Sequence, residues 1–349
     1  MLTQGGSESV ADPAIAKPDF LQRAGLRGPR MKYWFAYVGS FYVVWLVLAF
    51  GFGYWSQVKT HWPMAVVMTF GSVVAGATPM GGGTVAFPFL VLVFGQSPAL
   101  GRNFGMAIQA LGMTSATLFI LCRRTPIQSR LLLWSLLGSA AGLGMGTFWI
   151  APRLPGNVVK LFFSCLWMSF AILTLAKNRE ICSLNSNPKI ARSTAMKLGL
   201  IVGVAGGMTT SIIGVGIEMM LYTILVLLFR SDLKVAVPTA VSAMAVTSVM
   251  GIALHAALGD IGSEVFYNWL AAAPIVVFGA PFGAFLVSII PRIRTLYFVS
   301  ALCLIQFIWT LRQVNPSPKE WTLVTCALLT AVAGFYLLYR RGASSRPAR

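Results

Sequence analysis

The sequence has few charged residues. Asp, Glu, Lys and Arg make up 10% of its 349 residues, whereas a soluble globular domain has about a quarter. Hydrophobic residues make up 57% of the chain. This composition excludes an ordinary water-soluble fold and is typical of a protein that lies in a lipid bilayer.

Residues that usually carry catalytic chemistry are also scarce. The five cysteines form no CxxC pair and have no ligand spacing with the only two histidines, His61 and His255. No GxxxxGK[ST] motif is present, so we expect no ATP hydrolysis by this chain. We therefore expect no metal, no cofactor and no enzyme activity, with an intramembrane enzyme as a remote alternative.

The charged residues that are present are mostly basic, with 27 Lys and Arg against nine Asp and Glu. The basic residues lie in loops between apolar runs rather than on one soluble face, which argues against a nucleic-acid partner and for the bilayer. Residues 1–32 have several Lys and Arg but no apolar core, so we interpret them as a disordered, basic cytoplasmic tail.

Apolar runs recur along the whole chain, and their length predicts membrane-spanning helices rather than barrel strands. Two of the runs, 62–96 and 197–229, are too long for one helix, and glycine interrupts each near its middle. Each is either one tilted helix or a hairpin. The runs lie at about 33–55, 62–96, 103–122, 131–151, 157–177, 197–229, 235–256, 267–290, 295–312 and 321–339.

The distribution of basic residues favours the two hairpins. With a hairpin at each long run, 21 Lys and Arg fall on the cytoplasmic side and six on the outer side, as the positive-inside rule requires. Both termini are then cytoplasmic.

An internal repeat supports the same arrangement. Shifting the sequence by 133 residues places Gly81 and Gly83 on Gly214 and Gly216, and Thr114 on Thr247. The predicted fold is therefore all-α, a polytopic membrane protein with two inverted repeats, each a broken or re-entrant hairpin plus three transmembrane helices. The predicted units are a tail at 1–32, an extra helix at 33–55, repeat 1 at 62–177, a cytoplasmic linker at 178–196, repeat 2 at 197–312, and a last helix with a basic tail at 321–349.

The glycine-rich hairpin tips are the predicted binding site. Main-chain N–H groups exposed by glycine, together with helix N-termini, can bind an anion without Lys or Arg, and we find neither residue well inside an apolar run. The alternative is that the glycines only permit close packing and the hydroxyls only bond to helices. The predicted substrate-binding residues are Met80, Gly81, Gly82, Gly83, Thr84, Asn103, Gln109, Thr114, Ser211, Gly214, Gly216, Ser242 and Thr247.

Glu218 is the one acidic residue inside an apolar run. A carboxyl at membrane depth is costly and is by default a functional candidate, so we predict that Glu218 carries a proton coupled to transport. The alternative is a carboxyl that only caps the broken helix. His255 stands at the outer end of a helix, and we expect it to be an interfacial residue.

The segment from Gly76 to Pro88, GATPMGGGTVAFP, and its weaker second copy from Gly214 to Glu218 resemble the TauE/SafE family of sulfite exporter-like permeases. The likeness covers about residues 62–312. It implies a carrier of sulfite, thiosulfate, sulfoacetate or other small organic anions in a bacterial inner membrane. This chain departs from the family pattern in the second copy, which lacks the third glycine and the following proline.

These observations predict a secondary transporter of a small anion, a sulfur oxyanion or an organosulfonate or organic acid. The site lies near the bilayer midplane between the two hairpin tips. A passive anion channel is the alternative. The identity of the solute, the direction of transport, the coupling ion and the oligomeric state are left open.

Overall fold

The fold is all-helical, as predicted. The computed structural model describes residues 28–182 and 186–344, and in these ranges the backbone forms helices, short loops and one isolated bridge between Ser186 and Ser231, with no strand. Nine helices in the described ranges are long and apolar enough to cross a membrane. The chain is therefore a multi-pass membrane protein.

We number the helices in chain order. Four of them, α1, α4, α6 and α10, continue directly into a wider helical turn, at residues 47–51, 89–93, 146–150 and 224–228. A short tighter turn at 151–153 follows the one after α6. The helices are α1 Met31–Leu46, α2 Trp55–Thr60, α3 Trp62–Ala77, α4 Gly83–Pro88, α5 Pro98–Cys122, α6 Ser129–Met145, α7 Gly156–Ala176, α8 Asn178–Cys182, α9 Arg192–Ile213, α10 Ile217–Thr223, α11 Leu233–Ala257, α12 Ser263–Ile289, α13 Arg292–Val314 and α14 Pro318–Ser344.

Both long apolar runs are interrupted at their glycines. The first is broken at residues 78–82, between α3 and α4, and the second at residues 214–216, between α9 and α10; we call these break 1 and break 2. The helices on either side fold back on each other, since a Cβ added to Gly71 would lie 3.2 Å from Val85 Cβ and one added to Gly206 would lie 2.6 Å from Ile217 Cα. The hairpin alternative is therefore the one observed, and we name the hairpins 1 and 2.

The same order of elements occurs twice along the chain. Hairpin 1 precedes α5, α6 and α7, and hairpin 2 precedes α11, α12 and α13. The central helices α5 and α11 both have 25 residues. This order is what the predicted repeat requires, while the opposite orientation of the two units in the bilayer stays a prediction.

Each hairpin packs against a helix of the other unit. Helix α3 packs on α12, and α9 packs on α6, while α5 and α11 pack on each other. Glycine allows these contacts, because a Cβ added to Gly76 would lie 1.8 Å from Ala280 O and one added to Gly142 would lie 2.2 Å from Val204 O. Small residues let helix backbones approach closely in a membrane. The crossed packing holds both breaks beside the α5–α11 pair.

Helix α1 lies on the outside of this core. Trp34 Nε1 donates to Ser115 Oγ at 3.0 Å, and Tyr42 OH donates to Pro274 O at 2.6 Å. The extra helix predicted at 33–55 is thus present but ends at Gly51. Most of the predicted tail, residues 1–27, and the last residues, 345–349, lie outside the described ranges.

The linker predicted at 178–196 is tied to hairpin 2 and to α14. Glu180 in α8 accepts hydrogen bonds from Arg230 and from the Tyr339 hydroxyl. Burial raises the pKa of Glu180, but these two hydrogen bonds and the charge of Arg230 outweigh it, so the pKa lies below its ordinary value. Residues 183–185 of the linker lie outside the described ranges.

Candidate functional site

The two breaks meet at Gln109, a fully buried residue of α5. Gln109 Nε2 donates to Gly214 O of break 2 at 3.4 Å, and Gln109 Oε1 accepts from Ser248 Oγ at 3.4 Å. On the other side, a Cβ added to Gly83 would lie 2.6 Å from Gln109 Nε2 and 2.7 Å from Val215 Cγ1. One amide side chain therefore contacts both interrupted helices.

The three consecutive glycines at break 1 and the start of α4 have different roles. Gly81 has a left-handed backbone, with φ of 72°, which favours glycine. Gly83 is required for a different reason, because a Cβ there would clash with Gln109 and Val215. Gly82 needs neither, because its φ is −66° and a Cβ there would meet nothing closer than 3.4 Å. Met80 is buried beside them, and the Thr84 side chain lies outside what the structure describes.

Break 2 has the same backbone requirement with only two glycines. Gly214 has φ of 81°, and a Cβ there would lie 2.8 Å from Arg102 O. Gly216 has φ of 153°, and a Cβ there would lie 2.6 Å from Thr209 Cγ2. Alanine at either position would meet both backbone strain and a steric clash.

Glu218 lies in the first turn of α10, directly after break 2, and is fully buried. Its Oε1 accepts a hydrogen bond from the Gly216 N–H at 3.0 Å. Its Oε2 is buried and has no hydrogen-bond partner among the described residues. Oε1 thus makes the capping contact that we considered, while Oε2 has no hydrogen bond that would compete with a proton.

The predicted hydroxyl ligands mainly bond to helices. Thr114, Ser211 and Ser242 each donate to a carbonyl of their own helix, and Thr247 Oγ1 lies 3.1 Å from Ser139 Oγ. None of these hydrogen bonds reaches break 1 or Gln109. Their role in binding stays a prediction, and the geometry favours the alternative of helix-bonded hydroxyls.

Two residues that the sequence places at the ends of apolar runs are buried in the fold. Arg102, which we expected in a loop, lies within α5 and has a side-chain exposure of only 10%. His255 lies near the end of α11, as expected, but is 1% exposed. Both side chains contact Asp260, which follows the end of α11. Arg102 directly precedes a long apolar run, which is why the sequence placed it in a loop.

These three residues form one cluster with Asn103. Arg102 Nη2 lies 3.3 Å from Asp260 Oδ2, and His255 Nδ1 lies 2.8 Å from the same oxygen. Asn103 accepts from Arg102 Nε at 2.9 Å and donates to Asp260 O at 3.1 Å. Arg102 Nη1 also donates to Ser211 O, near the end of α9, at 3.5 Å. The predicted ligand Asn103 thus belongs to an ion-pair cluster beside break 2 and does not contact break 1.

The residues beside break 1 differ from the ion-pair cluster beside break 2. A small pocket of about 30 Å³ lies beside Thr78 and Pro79 and is lined by Leu233, Lys234 and Val237 from the start of α11. Lys234 is the charged residue in this lining. Among the described residues, no three His, Cys, Asp or Glu side chains are grouped so that they could hold a metal ion.

Comparison with protein-family models gives a match over residues 64–310 to the model described as "Sulfite exporter TauE/SafE". The matched range starts in α3 and ends in α13, so it includes both hairpins and both central helices. Neither curated proteins nor solved structures gave a match.

Proposed function

The chain belongs to the sulfite exporter TauE/SafE family, and from this premise we propose that it is a secondary transporter of a small anion that binds between break 1 and break 2. The substrate class is a sulfur oxyanion, an organosulfonate or a small organic acid. The membrane is a bacterial inner membrane, with both termini in the cytoplasm.

The contact of Gln109 with both breaks is the observation that carries this proposal. A glutamine amide has two N–H donors, of which Gly214 O occupies one. The main chain at each break adds N–H groups, and at break 2 those of Gly214 and Gly216 donate to Thr210 O and Glu218 Oε1 until an anion displaces these partners. Such neutral donors bind an oxyanion without a permanent counter-ion in the core. An anion held in this way can also leave, as a carrier requires.

Glu218 is the proposed proton-coupling residue. Keeping a carboxylate charged in an apolar segment is costly. Whether Glu218 is protonated therefore depends on the charges and hydrogen-bond donors next to it. Glu218 is joined to break 2 through the Gly216 N–H. Protonation of Glu218 would therefore change the charge next to the bound anion, which couples a proton gradient to anion movement.

Uptake by purified protein in proteoliposomes tests the proposal. We expect thiosulfate, sulfite, sulfoacetate or a small carboxylate to accumulate above its equilibrium level under an imposed pH gradient, and the accumulation to collapse with an uncoupler. Uptake that only equilibrates the solute would indicate a passive channel instead. Absence of uptake for all four anions would refute the anion assignment.

A further inference from the structure

Arg102 is a buried cation whose partner is not buried. The Arg102 side chain is 10% exposed, whereas that of Asp260 is 41% exposed. A buried charge requires a counter-ion, because an unpaired one loses its hydration without compensation. Asp260 lies in the loop between α11 and α12, and its carboxylate, which contacts Arg102 and His255, is already partly in water. Arg102, by contrast, lies within α5 and is buried.

The contacts around Asp260 Oδ2 resemble those of a bound oxyanion. Arg102 Nη2 and His255 Nδ1 lie 3.3 and 2.8 Å from this oxygen, and only 3.4 Å from each other. A carboxylate only accepts hydrogen bonds, so both nitrogens act as donors here. The Arg102 contact is made through one nitrogen and not through the two-pronged geometry that holds a permanent partner most firmly.

The position of the cluster connects it to the proposed transport site. Arg102 Nη1 donates to Ser211 O, and the Arg102 backbone carbonyl packs against Gly214 of break 2. Break 2 in turn contacts Gln109. An anion at Arg102 would therefore lie next to break 2, on the face that the distribution of basic residues predicts to be outside.

We propose that Arg102 and His255 form a second oxyanion site, at which the transported anion replaces the Asp260 carboxylate on its way to the central site. This inference rests on the proposed anion transport for the identity of the ligand. Asp260 acts as a built-in competitor that closes the site when no anion is present. His255 is a positioning residue for Asp260 and a donor to the anion that replaces it.

Thermal unfolding of the purified full-length protein, with increasing thiosulfate, tests the site without depending on transport. The variant Asp260→Ala removes the competitor and leaves Arg102 without its carboxylate. We expect it to melt at a lower temperature than the wild type without thiosulfate, and to be stabilised by thiosulfate at a concentration at least about fivefold lower. Sodium chloride at equal ionic strength controls for screening of surface charge.

Two further variants separate the site from a general effect of charge removal. Glu264→Ala removes the carboxylate of the other ion pair on the same face, in which Glu264 Oε2 lies 3.1 Å from His61 Nε2; it should respond to thiosulfate as the wild type does. The double variant Arg102→Gln and Asp260→Ala should lose the gain, which is the stabilisation of Asp260→Ala at a lower thiosulfate concentration. If the alanine variant does not fold, Asp260→Asn, which retains the side-chain volume, should show the same gain.

The proposed site is refuted if Asp260→Ala and Asp260→Asn respond to thiosulfate as the wild type does, or if the double variant retains the gain. Uptake assays keep this separate from the proposed function. In oriented vesicles, Asp260→Asn should lower the half-saturating anion concentration from one face only. If Asp260→Asn binds thiosulfate more tightly but the wild type shows no uptake, the proposed transport is refuted and the oxyanion site at Arg102 is retained.

Discussion

Break 1 and break 2 stand at matching places in the order of helices but differ in chemistry. Both require a glycine with a left-handed backbone, Gly81 in one and Gly214 in the other. From Thr78 to Pro88, break 1 and α4 have no ionisable side chain. Break 2 has Glu218 in the next turn and Arg102 against its flank. The shared feature is thus a backbone geometry. The charged residues beside the breaks differ, since Lys234 lies beside break 1, whereas a carboxyl and an arginine lie beside break 2.

The largest expected effect comes from removing the charge at break 2. Glu218→Gln should abolish concentrative uptake, because the amide cannot gain or lose a proton, while exchange of anion for anion should persist. Uptake under a pH gradient and exchange without one are the two measurements. Glu320→Gln, an acidic residue in the first turn of α14, is the control. Normal pH-driven accumulation by Glu218→Gln would show that Glu218 only caps α10.

A smaller effect is expected where the two breaks meet. Gln109→Leu should lower the efficiency of uptake by roughly 10- to 100-fold, since a hydrogen bond to a charged partner contributes about 1.5–3 kcal/mol. The matched control is Gln306→Leu, since Gln306 is also buried and its Nε2 has no partner among the described residues. Equal uptake by both variants would remove Gln109 from the site.

Two alanine substitutions at neighbouring glycines sharpen the comparison further. Gly83→Ala should lower uptake by roughly tenfold, because the added methyl group meets Gln109 and Val215 and overpacking costs about 1–3 kcal/mol. Gly82→Ala should be close to wild type, since there is room for its Cβ. Folded protein is quantified by size-exclusion chromatography. Equal loss in both variants would contradict the distinct roles assigned to these glycines.

The smallest effect is expected at the hydroxyls. Thr114→Val and Ser242→Ala should change the half-saturating concentration by less than about threefold, because each hydroxyl already donates to its own helix. Uptake titrations measure this directly. A tenfold rise for either variant would return that hydroxyl to the binding site.

The sequence was sufficient to predict the helices and the interruption of two of them, and it placed Gln109 and Glu218 inside apolar segments, where both are buried. It could not show which glycine of the triplet needs a left-handed backbone, because that depends on how the chain turns at Gly81. Arg102 and Asp260 were missed because 158 positions separate them. In one sequence, each looks like an ordinary loop charge.

The crossed packing of the hairpins has a consequence for assembly. Helix α3 packs on α12, and α9 packs on α6. Each hairpin is therefore packed against a helix from the other half of the chain. Cutting the backbone in the 178–196 linker would yield two fragments, and in each of them the hairpin would lack the helix against which it packs. A half of the chain exchanged for that of a relative would therefore have to pack against the hairpin of the half that is kept.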